Sequence, residues 1–394
     1  MDGENILERC PDSGSGWKVD WESLERDFPW LGALDCCPQD PEFHGEGSVL
    51  NHTRAVIQYL VEMPLWRRLS LEKRKLAFAA ALMHDIGKPA TTRYDGNRIH
   101  SYGHSLKGAQ MARVILWDMD VPFQCREAVC SIIRNHTKPF WLLENDERMK
   151  RTALQIMLDT DIEMLSAVVM ADNHGRQCEG RDATAENLEL AFEYMKELTC
   201  ACAPESIYPM SSSRGPITSC SHIFSNEESR FRFFRNPELR EPYNAFPSHR
   251  CTVFLLSGLP GAGKDHWIEH SAAEGLPVIS LDKIRAETGA RPSGDQRAVI
   301  SAAKEKAREL LRTKQGFIWN ATNLSRQIRD QLTDLCADYE ARIEIVYLDC
   351  SRRRLYEQNR NRSQSVPENV IEKLLSRWEI PDFTEAHSVS YICR

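Results

Sequence analysis

Residues 251–264 read CTVFLLSGLPGAGK: a short continuous apolar run, then a glycine-rich turn, then a lysine. An apolar run of this length bounded by glycine predicts a buried strand, and the turn leads into a helix. Successive backbone N–H groups in such a turn, backed by a helix N-terminus, cradle phosphates. Three further strand-like runs, LPVISLD, GFIWNATN and RIEIVYLDC, follow with helical stretches between them. Strand–helix alternation predicts a parallel sheet with helices on both faces. Residues 250–394 are therefore expected to form one α/β domain.

Gly258, Leu259, Pro260, Gly261, Ala262, Gly263, Lys264 and Asp265 form the predicted phosphate loop. Lys264 would reach the β- and γ-phosphates of ATP. The residue after that lysine is normally Ser or Thr, whose hydroxyl binds Mg2+; here it is Asp265, which can serve that ion directly, through water, or only as a helix N-terminal charge. Asp282 closes the next strand and Arg285 follows three residues later. Asp282 can take a proton from an attacking hydroxyl or cap the helix DKIRAET; Arg285 can hold an acceptor phosphate. In NATN, Asn320 stands where a kinase carries a magnesium-binding carboxylate, and Thr322, Asn323 and Arg329 are candidate walls of an acceptor pocket. SRRRLYEQNRNR at 351–362 is the densest positive charge in the chain, and Arg360 and Arg362 are its best candidates for a clamp over the nucleotide phosphates.

Residues 49–198 have a different period. VLNHTRAVIQYLV and LEKRKLAFAAALMHDIG carry helical apolar stripes, and further helices are expected at about 104–118, 123–135, 149–171 and 182–198. His52, His84-Asp85, His104, His136 and Asp172 sit on or at the ends of these helices. Neutral imidazoles and carboxylates suit Mn, Ni, Co, Fe, Zn or Mg, and Asp85 can bridge two ions that would share a phosphate. His100 is an alternative to His104; Asp159 and Asp161 are expected in supporting roles; Arg134 and Arg176 are expected in salt bridges.

At 394 residues, two domains are expected. Residues 1–48 read as an irregular leader packing through Trp17, Trp21 and Trp30. Residues 199–249 read as a linker, PMSSSRGPITSC, and a docking segment rich in arginine and aromatics. The net charge of −7 argues against a broad nucleic-acid-coating surface but permits a local basic cleft. Thirteen cysteines without zinc-ribbon spacing suggest free thiols and a cytoplasmic protein. No membrane segment is expected. An oligomer is permitted, with no feature that sets its number.

HDIGKP followed by GHSLKGA resembles HD-superfamily phosphohydrolases. That resemblance implies one metal held by His52, His84, Asp85 and Asp172, and a second held by Asp85, His104 and His136, with Lys88 and Lys138 near the phosphate. GLPGAGK, Asp282 with Arg285, NATN, and RNR followed by VPENVIEKL resemble polynucleotide 5′-kinases. The implied roles are Asp282 as general base, Arg285 on the phosphate beside the acceptor sugar, and Arg360 and Arg362 clamping ATP. The fold class expected is multidomain: an all-α HD-type helical domain, then an α/β P-loop kinase domain with a parallel sheet. Their order resembles bacterial HD-Pnk end-healing enzymes, which implies RNA or DNA ends as substrates, ATP and Mg2+ for the kinase, two divalent metals in the HD site, and coupling to a ligase. Two other readings stay open: an HD nucleotide phosphohydrolase fused to a small-molecule kinase, and an ATP-sensing regulatory protein.

Overall fold

The computed structural model describes residues 5–96, 98–144, 146–200, 223–271, 273–289, 296–362 and 365–393. The chain divides into two compact units; described residues 5–200 belong to the first and 223–393 to the second. The expected linker PMSSSRGPITSC lies outside the described residues.

The first unit is helical. Its order is α1 (Trp21–Asp27), α2 (Trp30–Asp35), α3 (Val49–Glu62), α4 (Pro64–Arg68), α5 (Leu71–Met83), α6 (Lys88–Thr91), β1 (Arg93–Asp95), β2 (Arg98–His100), α7 (His104–Asp118), α8 (Phe123–Asn135), α9 (Asp146–Asp159), α10 (Ile162–Gly175) and α11 (Arg181–Cys200). Ser48 and Ser70 cap α3 and α5 by accepting the N–H groups of Asn51 and Lys73. From Leu76 to Met83, α5 is buried on every face, as a central helix must be. It packs against α3, α8 and α10.

Three expectations change here. The leader is not irregular: it holds a 3-10 turn, Ile6–Arg9, besides α1 and α2, and Ile6, Leu24, Phe28, Leu31 and Leu34 are buried. Trp17 packs edge-on against Trp66 and Arg54 lies over Trp21. The helix expected at 149–171 is two helices, because Asp161 accepts the N–H of Met164 and starts α10 afresh. The unit also carries an antiparallel hairpin, β1–β2, that the helical pattern concealed.

The second unit contains α12 (Glu227–Arg235), β3 (Cys251–Ser257), α13 (Lys264–His270), β4 (Val278–Ser280), α14 (Leu281–Thr288), α15 (Arg297–Arg312), β5 (Phe317–Asn320), α16 (Arg326–Ala337), β6 (Ala341–Asp349), α17 (Arg352–Arg360), α18 (Glu368–Leu375) and β7 (Ser388–Cys393). The strands form one parallel sheet in the order β4-β5-β3-β6-β7. Four were expected from apolar runs. The fifth, β7, is a half-exposed edge strand paired only with β6, and SVSYIC has no continuous apolar run. The candidate docking segment contributes α12, whose Phe231 enters the core between the sheet and its helices. The expected fold class, a helical domain followed by a P-loop domain with a parallel sheet, is the one observed.

Candidate metal centre and phosphate loop

In the first unit, the helix ends converge on Asp85. His84 and His136 follow the last turns of α5 and α8, and His104 opens α7. Each ring places Nδ1 against the carbonyl three residues earlier: Ala81 at 2.7 Å, Ile133 at 2.7 Å and Ser101 at 2.9 Å. A carbonyl only accepts, so each Nδ1 carries a proton and each Nε2 is the nitrogen left to face the centre. Those nitrogens lie around one carboxylate. His84 Nε2 is 3.1 Å from Asp85 Oδ2, while His104 and His136 Nε2 are 3.3 and 3.9 Å from Oδ1. From the other side, His52 Nε2 lies 3.1 Å from Asp172 Oδ1 and 3.9 Å from Asp85 Oδ2.

This donor set fits metal ions. His104 and His136 face each other with Nε2 atoms 3.3 Å apart, two lone pairs that a shared cation, a metal ion or a proton, would reconcile. His84 Nε2 and both Asp85 oxygens are buried without a hydrogen bond. Burial lowers the His136 pKa to about 3, and lowers that of His104, so both stay neutral and available. Burial opposes ionisation of Asp85 and Asp172, but His84 and Lys88 around the first, and Arg176 and His52 around the second, hold both far below the usual carboxylate range. His52 with His84 and Asp85, His84 with His136 and Asp172, and Asp85 with His104 and His136 each bring their ligand atoms within 4.8 Å of one another. Asp85 can thus bridge two ions, one oxygen to each side.

Two glycines make the convergence possible. A Cβ on Gly87 would lie 2.1 Å from the carbonyl oxygen of His104, and one on Gly175 would lie 2.7 Å from Val56. The first contact brings α7 onto the Asp85 turn; the second seats α10, with Asp172, against α3, with His52. Lys88 is buried; its ammonium lies 2.7 Å from Asp85 Oδ2 in an ion pair and donates to Gln39 Oε1 at 2.6 Å. Lys138 is half-buried in the turn after α8. His100 stacks on Tyr102 at 4.5 Å, two residues ahead of the turn that delivers His104. Asp159 pairs with Arg134 and accepts from Asn135, and Arg176 binds Asp172 while lying over Phe140.

The sequence reading missed Glu46 and His44. Glu46 Oε1 accepts from His44 Nδ1 at 2.8 Å and lies 2.8 Å from His52 Nδ1, and Oε2 accepts the N–H of Gln177 at 3.0 Å. Burial drives the His44 pKa down to about 4. The signal was present in HGEGSVLNH, but it fell within the stretch read as leader.

In the second unit, the phosphate loop leaves the C-terminal end of the central strand β3, where α/β sheets present ligand sites. Gly258, Gly261 and Gly263 have φ of 144°, 86° and 96°, a region costly for side chains. Cβ atoms on the first two would approach the carbonyls of Leu348 and Leu355 to 2.6 and 2.8 Å. Leu259, Pro260 and Ala262 are buried beneath the loop. Lys264 Nζ donates to the carbonyls of Gly258 and Leu259, at 2.9 and 2.8 Å. Burial, and then the charge of Arg362, lower its pKa to about 8.

Asp265 is exposed; it accepts from the Asn320 amide at 2.8 Å and lies 3.6 Å from Arg362. The carboxylate expected at the β5 end and the small polar group expected after the lysine have thus exchanged places, and they touch. Asp282 does not cap α14, because Ser280 does; it stands exposed in the first turn, ion-paired with Arg285, which also donates to Gln296 at 3.0 Å. Arg360 is exposed at the end of α17. Two acceptor-pocket candidates are structural instead. Asn323 is buried and donates to the Leu256 carbonyl. Arg329 is 1 % exposed and ion-paired with Glu385 at 2.6 Å, so it is not a pocket wall.

Fold and site together define a helical HD domain followed by a kinase-like P-loop domain. Residues 49–162 match the HD domain family and residues 253–381 match the AAA domain family. The first match spans His52 to His136 and stops short of Asp172. The chain is similar to the CC-adding tRNA nucleotidyltransferase of Thermus thermophilus, 37% identical over 87 residues, 22% of this chain and 19% of that one. It is also similar to the multifunctional CCA protein of Aromatoleum aromaticum, 30% identical over 116 residues, 29% and 26% of the two chains. The chain thus spans about a fifth to a quarter of these relatives' length. Among solved structures it is similar to a sugar kinase from Janibacter sp. (18% identity, TM-score 0.30, 36% of this chain and 85% of that one) and to Chaetomium thermophilum Kti12 (17%, 0.28, 36% and 88%). Among the described residues, no helix is long and apolar enough to cross a membrane.

Proposed function

We propose that this chain is a bifunctional nucleic-acid end-healing enzyme of the HD-Pnk kind: a metal-dependent phosphoesterase that clears 2′-phosphate or 2′,3′-cyclic phosphate ends, joined to a kinase that phosphorylates 5′-OH ends. The observation that carries it is Asp85, set between two groups of imidazole nitrogens beside a buried lysine, in a chain that also holds a glycine-rich phosphate loop ending in Lys264. The HD-type relatives include an enzyme named for tRNA, which supports a nucleic-acid substrate.

In the HD unit, His52, His84, Asp85 and Asp172 would hold one divalent ion, and Asp85, His104 and His136 a second. Bound there, the ions polarise a phosphate and lower the pKa of an attacking water. Around them, Arg176 orients Asp172, and Lys88 orients Asp85 and stands ready for a phosphate oxygen. Water adds to phosphorus, one ester P–O bond breaks, and the released sugar oxygen takes a proton.

In the kinase unit, Lys264 would leave its loop carbonyls for the β- and γ-phosphates of ATP, while Arg362 and Arg360 close over them. Asp282 takes the proton of the 5′-hydroxyl as its oxygen attacks the γ-phosphorus; the bond to the β-phosphate oxygen breaks and ADP leaves. Arg285 steadies both Asp282 and the adjoining acceptor phosphate. Asp265, with Asn320, lies where Mg2+ on those phosphates would be met.

The test uses a short 5′-OH oligonucleotide carrying a 2′,3′-cyclic phosphate, with Mn2+, Mg2+ and labelled ATP. Label at the 5′ end and opening of the cyclic end are expected, both preferred over a free nucleotide. Transfer to a free nucleoside alone would replace this reading with the small-molecule kinase, which the net charge of −7 favours. ATP binding without transfer would leave a sensor.

A further inference from the structure

We infer that the β1–β2 hairpin is a binding ribbon for unpaired nucleotides next to the phosphate under attack; this rests on the phosphoesterase reading above. The hairpin is an excursion between two parts of the metal centre. Lys88 and Asp85 lie just before it, and His104 just after. Its base is fixed to that centre: the Thr92 N–H and hydroxyl both donate to the Lys88 carbonyl at 2.8 Å, and Thr92 Oγ1 and Ser101 Oγ are 2.8 Å apart. A third tie runs from the Ile99 N–H to Asp40 Oδ2 at 3.1 Å. Gly103, at φ 78°, then turns the chain directly into His104.

The side chains on this ribbon suit a strand of nucleotides. Arg93 pairs with His100, Tyr94 with Ile99 and Asp95 with Arg98, and Tyr102 follows. Tyr94 is 69% exposed and Tyr102 82%; Arg93 and Arg98 are exposed as well, on the face that carries His100, while Tyr94 lies with Ile99 on the other. Tyr102 already has one face on the His100 ring, at 4.5 Å and 29°, which pre-orients it as a platform with its other face outward. Exposed aromatics that add nothing to a core, with the Tyr102–His100 stack on the same face as two guanidinium groups, match bases that need a stacking face and phosphates that need a cation. The hairpin contributes no buried apolar side chain to the domain, so packing does not account for them. A mononucleotide ends at the metal centre and has no further nucleotide to lay on this ribbon; a polynucleotide end does.

The test compares full-length protein, loaded with Mn2+, on a 2′,3′-cyclic phosphate hexanucleotide and on a 2′,3′-cyclic mononucleotide. Tyr102→Ala and Tyr94→Ala should lower the ratio of kcat/KM for hexamer over mononucleotide by about tenfold, through KM, while Tyr102→Phe keeps it. Arg93→Gln with Arg98→Gln should flatten the salt dependence of hexamer binding. An unchanged ratio in both tyrosine variants would overturn the inference, as would a blunt duplex competing as well as the single strand. If the wild type hydrolyses neither substrate, the phosphoesterase reading fails instead. Fluorescence anisotropy of the labelled hexamer then decides the hairpin alone: affinity equal in wild type and Tyr102→Ala overturns it, and a tenfold loss upholds the ribbon.

Discussion

Glu46 Oε1 lies 2.8 Å from His52 Nδ1, so the buried imidazole has one carboxylate behind it and, at Nε2, Asp172 and Asp85 in front. For His52 to coordinate through Nε2, its proton must stay on Nδ1, and Glu46 is the acceptor within reach. The same carboxylate takes the Gln177 N–H, tying the loop before α3 to the segment just after Asp172. Glu46→Ala should weaken Mn2+ binding by ~10–100-fold, the usual effect of losing a group that orients a metal-binding histidine. Glu46→Gln, which keeps an accepting oxygen, should lose less. A Mn2+ titration followed by electron paramagnetic resonance measures this, and unchanged affinity in Glu46→Ala would remove Glu46 from the site.

Asp85→Asn replaces the one carboxylate shared by both groups of imidazoles. Metal content should fall from two ions toward none, and phosphoesterase turnover with it, because Asp85 is grouped with His52 and His84 on one side and with His104 and His136 on the other. ATP-dependent phosphorylation of a 5′-OH end should continue in the same preparation. Inductively coupled plasma analysis beside both activity assays separates the outcomes; retained phosphoester hydrolysis would refute the bridging role.

How much of this was legible in the sequence depends on whether the signal was local. The strand, turn and lysine of 251–264 are consecutive, so the phosphate loop could be read directly. His84 and His136 could be placed at helix ends because α5 and α8 carry clear apolar patterns. Glu46 could not, because its role comes from a contact with His52 across the loop before α3, and an acidic residue in a glycine-rich stretch looks like any other. Arg329 misled for the opposite reason: a lone arginine on a helix reads as solvated or ligand-facing, and its buried partner Glu385 lies 56 residues away. The β7 edge strand and the β1–β2 hairpin were too exposed to give the apolar runs that mark strands.

That Arg329–Glu385 pair should be costly to break from one side. Arg329 also donates to the carbonyls of Asn323 and Glu379 at 3.0 Å each, so Arg329→Leu takes a donor from each carbonyl and the charged partner from a buried carboxyl group. The expected cost is about 3–5 kcal/mol. Burial already raises the pKa of Glu385 despite Arg329. Without the arginine its folded-state pKa rises further, so the deficit should be largest at neutral and alkaline pH and shrink as acid neutralises the carboxylate. Urea unfolding at pH 5 and pH 8 checks the size and the sign.

Nucleotide affinity should carry the titration of Lys264. Burial and the charge of Arg362 bring its pKa down to about 8, and a triphosphate requires the cation. Below pH 8 the lysine is already charged and affinity should be flat. Above pH 8 a proton must be taken up on binding, so affinity should fall toward ~10-fold per unit. Lys264→Arg should bind more weakly at neutral pH yet lose this dependence, since a guanidinium stays protonated. Calorimetry with ATP between pH 6.5 and 9.5 (values about the lysine pKa) reads both; a flat wild-type profile would mean the loop does not depress Lys264.

Asp282 tests the kinase chemistry apart from binding. It is exposed at the start of α14 and held by Arg285, at the C-terminal end of the parallel strands, which also presents the phosphate loop, yet no hydrogen bond ties it to Lys264 or Asp265. Removing its carboxylate should therefore leave ATP in place. Asp282→Ala is expected to lower kcat for transfer to a 5′-OH end by ~10²–10⁴-fold, the usual contribution of a general base, with the ATP dissociation constant within about twofold of wild type. Asp282→Asn should be equally slow, because an amide keeps the shape and the Arg285 contact but cannot take the proton. If Asp282→Asn were fast and only Asp282→Ala slow, the residue would be positioning Arg285 rather than accepting a proton, and the base would have to be sought elsewhere.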